Sequence, residues 1–382
     1  MKKQAICVTV SCLFVAGAHA QSSVTLYGVI DEGFDYTNNV NGNKAYEMQS
    51  GYAQGSRWGL KGGEDLGGGV KAIFTLENGF NLNNGRLGQG GLEFGRQAFV
   101  GISDATYGTV TLGRQYDSVV DFLAQTTANG NWAGYLFAHP YDNDNTDNSF
   151  RVNNTVKYTS PTWAGFQFGG MYGFSNVAGG FANNRLMSVG AQYTYGGLLI
   201  AAAYLNSDNP SGTTSGAIST TDQNFLAQRL RVFGAGINYT MGNATVGFAY
   251  TNTNLSDPTS TTYISGSIVP AGGSISSLKF NNFEINGKYQ FTPAFFVGAQ
   301  YVYTRATDNA STGTVHPNYQ SAGLMADYLL SKRTDVYAQA AFQSVGGDST
   351  GTALDQAYVP GAADASSTSK QVVVRLAIRH AF

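Results

Sequence analysis

The sequence predicts an all-β fold, a transmembrane antiparallel β-barrel of about 16 strands. Three observations carry that prediction. Segments alternating between apolar and polar residues recur from end to end of the 382-residue chain. Charged residues make up 12% of it and aromatics 13%, with 49 glycines, a balance poor in charge for a water-soluble protein of this length. The last segment places Val372, Val374, Leu376, Ile378, His380 and Phe382 in one row, and Arg375 and Arg379 in the other. Alternate residues of a strand face opposite sides, so this strand has an oily face for lipid and a basic face for a wet lumen.

Residues 1–20 read as a cleaved signal peptide, and 21–382 as a single barrel domain. Lys2 and Lys3 precede the apolar stretch Ala5–Ala18, and Ala18-His19-Ala20 is a small-x-small cleavage site. Both cysteines, Cys7 and Cys12, fall in this leader, so the mature chain carries neither a disulfide nor a thiolate metal site. A lipoprotein reading through Cys12 fails on the poor Val10-Ser11 context. No run of eighteen apolar residues follows the leader, which excludes a helical membrane protein. The chain has 22 basic residues, two of them in the leader, against 24 acidic ones, and gives no case for nucleic-acid binding.

Strands are expected near 23–37, 50–63, 70–80, 92–103, 109–115, 150–159, 165–174, 186–195, 198–206, 228–240, 244–254, 278–290, 294–305, 318–330, 334–345 and 370–382. Ala72, Phe74 and Leu76 oppose Lys71, Thr75 and Glu77; Phe283, Ile285 and Tyr289 oppose Asn282, Glu284, Asn286 and Lys288. A strand of about ten residues, tilted by about 45°, spans roughly the apolar band of such barrels. Short connections alternate with long polar ones near 38–49, 81–91, 116–149, 175–185, 207–227, 255–277, 306–317 and 346–369. That asymmetry suits short periplasmic turns and long external loops, with the last strand pairing with the first to close the barrel. All eight prolines (140, 161, 210, 258, 270, 293, 317 and 360) fall in the expected loops or turns. Tyr and Phe gather at strand ends, as an interfacial girdle requires.

Several blocks resemble the general trimeric porins of Gram-negative outer membranes, most closely the β-proteobacterial type. They are Val24–Asp31 (VTLYGVID), Ser56–Gly62 (SRWGLKG), Gly95–Gly101 (GRQAFVG), Gly108–Tyr116 (GTVTLGRQY), Asn154–Tyr158 (NTVKY) and the Arg-His-Ala-Phe ending. The resemblance covers roughly the first 175 residues and returns at the terminus. It implies a sixteen-stranded barrel, a homotrimer in the outer membrane, passive diffusion of small hydrophilic solutes and ions, and a third long loop, here 116–149, folded into the pore. It also implies contact with outer-membrane lipid and lipopolysaccharide, and recognition of Phe382 by the barrel assembly machinery. No cofactor, metal or catalytic residue is expected.

By the same resemblance, Arg57, Arg96 and Arg151 occupy the positions of a basic ladder on the pore wall. The parity of Trp58 and Leu60 turns Arg57 and Lys61 to the wet face, whereas Arg96 shares parity with Ala98, Val100 and Ile102. Asp117 and Asp121 are the expected opposing acids in the loop. Asp142, Asp144 and Asp147 lie near its return, where a solvated loop reading is equally open. Arg114 is expected at the subunit contact. The loop has Ala128-Asn129-Gly130-Asn131-Trp132-Ala133-Gly134 where enteric porins carry a Pro-Glu-Phe-Gly-Gly block, so the facing acid is left open. The three histidines outside the leader, His139, His316 and His380, form no catalytic arrangement in the sequence. The rival reading is a substrate-specific channel with a saturable binding site.

Overall fold

The computed structural model describes residues 22–210, 212–219 and 222–382. The leader and its cleavage site lie outside the described residues. Sixteen antiparallel strands close on themselves. They are β1 Ser23–Val40, β2 Asn43–Ser50 continued by Arg57–Gly67, β3 Val70–Gly79, β4 Gln97–Asp104 and β5 Gly108–Gln115. Next come β6 Val152–Thr159, β7 Phe166–Gly173, β8 Arg185–Tyr195, β9 Leu198–Asp208, β10 Arg229–Met241 and β11 Ala244–Ser256. Then follow β12 Ile275–Thr292, β13 Phe295–Ala310, β14 Gly313–Val315 continued by Pro317–Leu329, β15 Thr334–Gly347 and β16 Lys370–Ala381.

Each strand pairs with its neighbour in sequence, and β16 returns to β1 in the register Val29↔Ala381 to Thr37↔Val373. Phe382 N donates to Gly28 O (3.0 Å), and Gly28 N to Phe382 O (3.1 Å). Closure leaves no open edge, which a lipid environment with no water to bond the backbone demands. The ring of Phe382 lies over Gly28, where a Cβ would come within 2.3 Å of Phe382 Cζ. Only glycine fits there.

The expected alternation is present. Leu376, Ile378 and Val374 point to the lipid side, whereas Gln371, Val373 and Arg375 are buried inward. In β10 the outward Phe233, Ile237 and Tyr239 alternate with the inward Val232, Gly234, Gly236 and Asn238.

Three expectations need correction. The connection 38–49 is a hairpin rather than a loop, since β1 runs to Val40 and turns through Asn41 (φ 49°) and Gly42 (φ 94°). Asn-Gly takes a turn with positive φ at both residues, and the outward apolar row of the returning segment is only Tyr46 and Met48, opposite Tyr36 and Phe34, too short to mark a strand in the sequence. The segment 306–317 is likewise a hairpin, β13 pairing directly with β14 at Ala310↔Gly313. Pro317 therefore begins a strand segment, one of the places where its missing N–H is tolerated. Finally, β2 is not continuous: residues 51–56 leave the sheet between its two segments.

Candidate functional site

The third long loop, between β5 and β6, turns into the barrel. It is built of short helical turns at Val119–Leu123, Ala124–Thr126, Asn129–Ala133, Tyr135–Phe137 and Pro140–Asp142. Its side chains sink into an inner wall stripped of side chains. A Cβ on Gly190 would lie 2.6 Å from Phe122, one on Gly234 2.6 Å from Leu123, and one on Gly236 2.0 Å from Thr126. A Cβ on Gly298 would lie 2.5 Å from Trp132, and one on Gly323 2.4 Å from Phe137. These approaches bury Leu123, Trp132 and Phe137 almost completely.

The loop backbone is then bonded by polar side chains of the wall. Asn238 donates to Gln125 O (2.9 Å), Asn286 to Thr126 O (3.0 Å), Gln339 to Ala133 O (2.6 Å) and Gln300 to Phe137 O (2.9 Å). Glu284 of β12 accepts from Ala128 N (2.7 Å) and from Asn286 (2.7 Å), and meets His139 Nε2 at 2.9 Å. His139 Nδ1 lies 2.6 Å from Asp144, which also accepts from Thr251 of β11 (2.5 Å). Every member of this cluster is buried. Burial opposes charge on the imidazole, but Asp144 and Glu284 outweigh it and hold the His139 pKa up at about 10. The sequence pattern places Glu284 and Asn286 on the polar face of β12, yet gives no sign that His139 meets them.

On the opposite side, the excursion 51–56 grips the loop. Tyr135 N donates to Tyr52 O (2.7 Å), and Gly134 (φ 76°) packs so tightly that a Cβ would lie 2.1 Å from Tyr52 O. Tyr52 OH donates to Gly361 O in the last loop. That loop also turns inward, with Leu354, Ala357, Tyr358 and Val359 buried and Tyr358 stacked on Tyr141 at 5.8 Å.

A cavity of about 440 Å³ lies beside the loop, lined by Arg57, Arg96 and Arg151 together with Val120, Ala124, Asn129, Gly130 and Tyr135 of the loop. The three arginines of the sequence reading therefore meet in one cavity. Arg96 escapes the parity problem because it lies one residue before β4, outside the strand. Its Nε bonds Glu77 (2.9 Å), and its Nη2 bonds Tyr116 OH (3.0 Å). Arg57 Nε lies 3.7 Å from Glu77, which also accepts from Tyr27 and Tyr116 (both 2.9 Å). Arg151 donates to Ser149 O (3.1 Å) and pairs with no carboxylate within salt-bridge reach among the described residues.

Other sequence candidates lie elsewhere. Lys61 does not line the cavity; it sits four residues further along β2, over the Tyr27 ring at 5.1 Å. Asp117 is buried in the root of the loop, accepting from Val119 N and Asn145 Nδ2 (both 2.7 Å), and burial pushes its pKa up to about 6. Asp121 is paired with Lys157 of β6. Both acids are consumed by the loop's own root and its nearest wall strand, so neither faces the arginines. The carboxylates that do approach them are Glu77, which sequence alternation places on the polar face of β3, and Asp147, which lines the cavity. Arg114 is engaged within its own chain, with Asp222, Asn153 Oδ1 (2.5 Å) and Gly95 O (2.8 Å). Arg375 is fully buried between Asp31 (3.0 Å) and Asp35 (2.8 Å), behind Tyr52.

A closed barrel narrowed by an infolded loop is matched by the comparisons. Residues 7–348 match the family described as Gram-negative porin. The chain belongs to that family. Among relatives of this porin, an outer membrane porin protein of Bordetella pertussis is 30% identical over 374 residues, covering 90% of this chain and 94% of that protein. Outer membrane porin protein 32 of Delftia acidovorans is 28% identical over the full length of both. Among solved structures, the anion-selective porin from Comamonas acidovorans superposes with a TM-score of 0.72 at 24% identity, covering 95% of this chain and all of that one. The trimer form of OmpT from Vibrio cholerae gives 0.64 at 17%, covering 94% and 99%. The porin is an outer-membrane, multi-pass β-barrel that forms a water-filled channel for passive diffusion of small hydrophilic solutes and ions.

Proposed function

We propose that this channel favours anions, and that Arg57, Arg96 and Arg151 are the groups that make it do so. The observation that carries the reading is their meeting in one cavity with fewer carboxylates than guanidinium groups around it. Glu77 serves two of them at once, leaving Arg151 without a salt bridge among the described residues. Fixed charge in a narrow passage sets ion preference because the low-dielectric wall focuses its field. The solved porin of similar fold from Comamonas acidovorans carries the description anion-selective, which agrees. Lys61 adds positive charge nearer the turn end.

The test is the reversal potential across a bilayer in a salt gradient. Changing Arg57, Arg96 and Arg151 together to Gln is expected to move it toward cation preference; an unmoved potential sinks the assignment.

A homotrimer is the proposed assembly, as OmpT from Vibrio cholerae is described in a trimer form. Arg114 enters that contact only by releasing Asp222, so cross-linking of an Arg114→Ala protein is the check on its part. Phe382 is proposed as the handle for the assembly machinery. Its deletion is expected to lower the amount of barrel in the outer membrane while leaving the conductance of inserted channels unchanged.

A further inference from the structure

The outward face of β10–β13 is ordered in layers along the strands. Toward the middle of these strands lies an apolar row, Ile237, Phe248 and Ile285, ending in Tyr301. Next comes Ala235, Tyr250, Phe283 and Tyr303, then Phe233, Asn252, Asn281 and Arg305, and then Arg231, Asn254, Lys279 and Thr307. Apolar, aromatic and cationic positions thus follow one another toward the loop end. Strand parity fixes the cations on the outer side. In β10 Val232 and Gly234, in β12 Phe280 and Asn282, and in β13 Thr304 and Ala306 are buried on the inner side of the wall.

Arg231, Lys279 and Arg305 make no ion pair or side-chain hydrogen bond among the described residues. Their neighbours Arg185 and Arg229 share Asp208, at 2.8 and 3.2 Å. Two of the five outward cations are thus paired with that carboxylate, and Arg231, Lys279 and Arg305 are not. Unpaired cations on the lipid side of a barrel cost about 2–4 kcal/mol at mid-membrane and about 0–1 near the interface, so their placement just past the aromatic layer marks headgroup level. Neighbouring strands lie about 4.8 Å apart, which puts Arg231 and Lys279, with β11 between them, about 10 Å apart; Lys279 and Arg305 are diagonal neighbours at about 7–8 Å. Flexible side chains at that spacing can close on phosphates of a single headgroup.

The geometry points to a binding site on Arg231, Lys279 and Arg305 for a phosphorylated lipid headgroup of the loop-side leaflet. This rests on the placement of the barrel in the outer membrane and is independent of the proposed ion preference. It gives the general expectation of lipopolysaccharide contact a defined address on this chain. The aromatic layer beneath, Tyr250, Phe283 and Tyr303, offers the acyl region a flat apolar seat.

The experiment uses the folded full-length mature barrel in detergent, stripped of lipid. Three probes are titrated: lipopolysaccharide with its phosphates, the same glycolipid after dephosphorylation, and inorganic phosphate. The parent protein is expected to bind the first tightly and in a salt-sensitive way. Changing Arg231, Lys279 and Arg305 together to Gln is expected to weaken it on the order of 10²-fold. Removing Lys332 and Arg333 at the opposite rim in the same manner is expected to change nothing. Equal affinity in the triple variant, or equal binding of the dephosphorylated glycolipid, overturns the site. Competition by inorganic phosphate at the same concentration overturns it as well, because the site would then be one for free anions. Should the triple variant not fold, single Arg305→Gln and Lys279→Gln proteins, each expected to lose roughly five-fold, carry the same decision. Conductance in planar bilayers, unchanged in every variant, keeps this test separate from the channel reading.

Discussion

His139 Nε2 lies 2.9 Å from Glu284 Oε2, joining the infolded loop to the barrel wall at a point where both side chains are fully buried. The same imidazole holds Asp144 through its other nitrogen. Replacing His139 with Ala leaves two carboxylates buried without their cation. Removing one partner of a buried pair costs about 3–5 kcal/mol, here concentrated in the loop rather than the barrel. The expected result is faster amide exchange and protease cleavage within residues 124–147, with the strands still protected. Unchanged protection would mean that the glycine-lined seat holds the loop without the ion pair.

The same cluster fixes a pH window. The His139 pKa, raised from 6.5 to about 10, contributes stability that is complete below 6.5 and lost as pH rises through about 10. Asp144 is held down at about 2, because His139 and its hydrogen bonds outweigh the effect of burial; its contribution is present above 3.8 and lost as pH falls through about 2. Asp142 is pushed up to about 7 by burial and by Asp144; its contribution is complete below 3.8 and is lost as pH rises through about 7. Loop protection, corrected for intrinsic exchange, is therefore expected to be highest near pH 4, to fall as pH rises through about 7, and to fall again toward about 10. A peak above pH 8 would contradict the assignment.

The seat itself can be altered by one methyl group. Gly323→Ala sets a Cβ 2.4 Å from Phe137, and Gly298→Ala sets one 2.5 Å from Trp132. Overpacking of this kind costs about 1–3 kcal/mol or moves the smaller partner, here the loop. The loop can yield only toward the arginine wall, so single-channel conductance is expected to fall. Combining Gly323→Ala with Phe137→Leu is expected to restore it. The control is Gly63→Ala, whose Cβ meets nothing closer than 3.4 Å, although it too lies in a strand.

Arg375 is the largest fully buried side chain among the described residues. Arg375→Met removes the cation shared by Asp31 and Asp35, leaving both acids in place. A loss of about 3–5 kcal/mol is expected, read as a lower midpoint of denaturant unfolding. Adding Asp31→Asn and Asp35→Asn to Arg375→Met is expected to return part of it.

The barrel is legible in the sequence because its signal is periodic: sixteen strands announce themselves wherever one face meets lipid. Where the apolar row shrinks to two residues, as with Tyr46 and Met48 in Asn43–Ser50, or to one, as in Gly313–Val315, the hairpins read as loops. The arginines Arg57, Arg96 and Arg151 follow from motif resemblance, and they converge on one cavity. Their acidic partners do not follow that way. Glu77 stands in view on the polar row of β3, but the resemblance assigns the negative charge to the loop and so points to Asp117 and Asp121 instead. The excursion at 51–56 and the seat of the His139 cluster on the wall depend on contacts between residues far apart in the chain, Tyr52 with Tyr135 and His139 with Glu284. No local pattern encodes these.

The seam between β1 and β16 has a consequence for how such a molecule comes into being. It joins Val29 to Ala381 and Thr37 to Val373, so its pairing partners are separated by almost the whole polypeptide. A chain lacking β16 has two unpaired edges, each a row of free N–H and C=O groups able to recruit another strand. Entropy makes this the last and slowest junction to form, and the partly zipped sheet is sticky until it does. Kinetic safety therefore depends on an escort that caps those edges or a membrane that hastens their meeting, and the twelve residues of β16 decide whether all the preceding work becomes a channel or an aggregate.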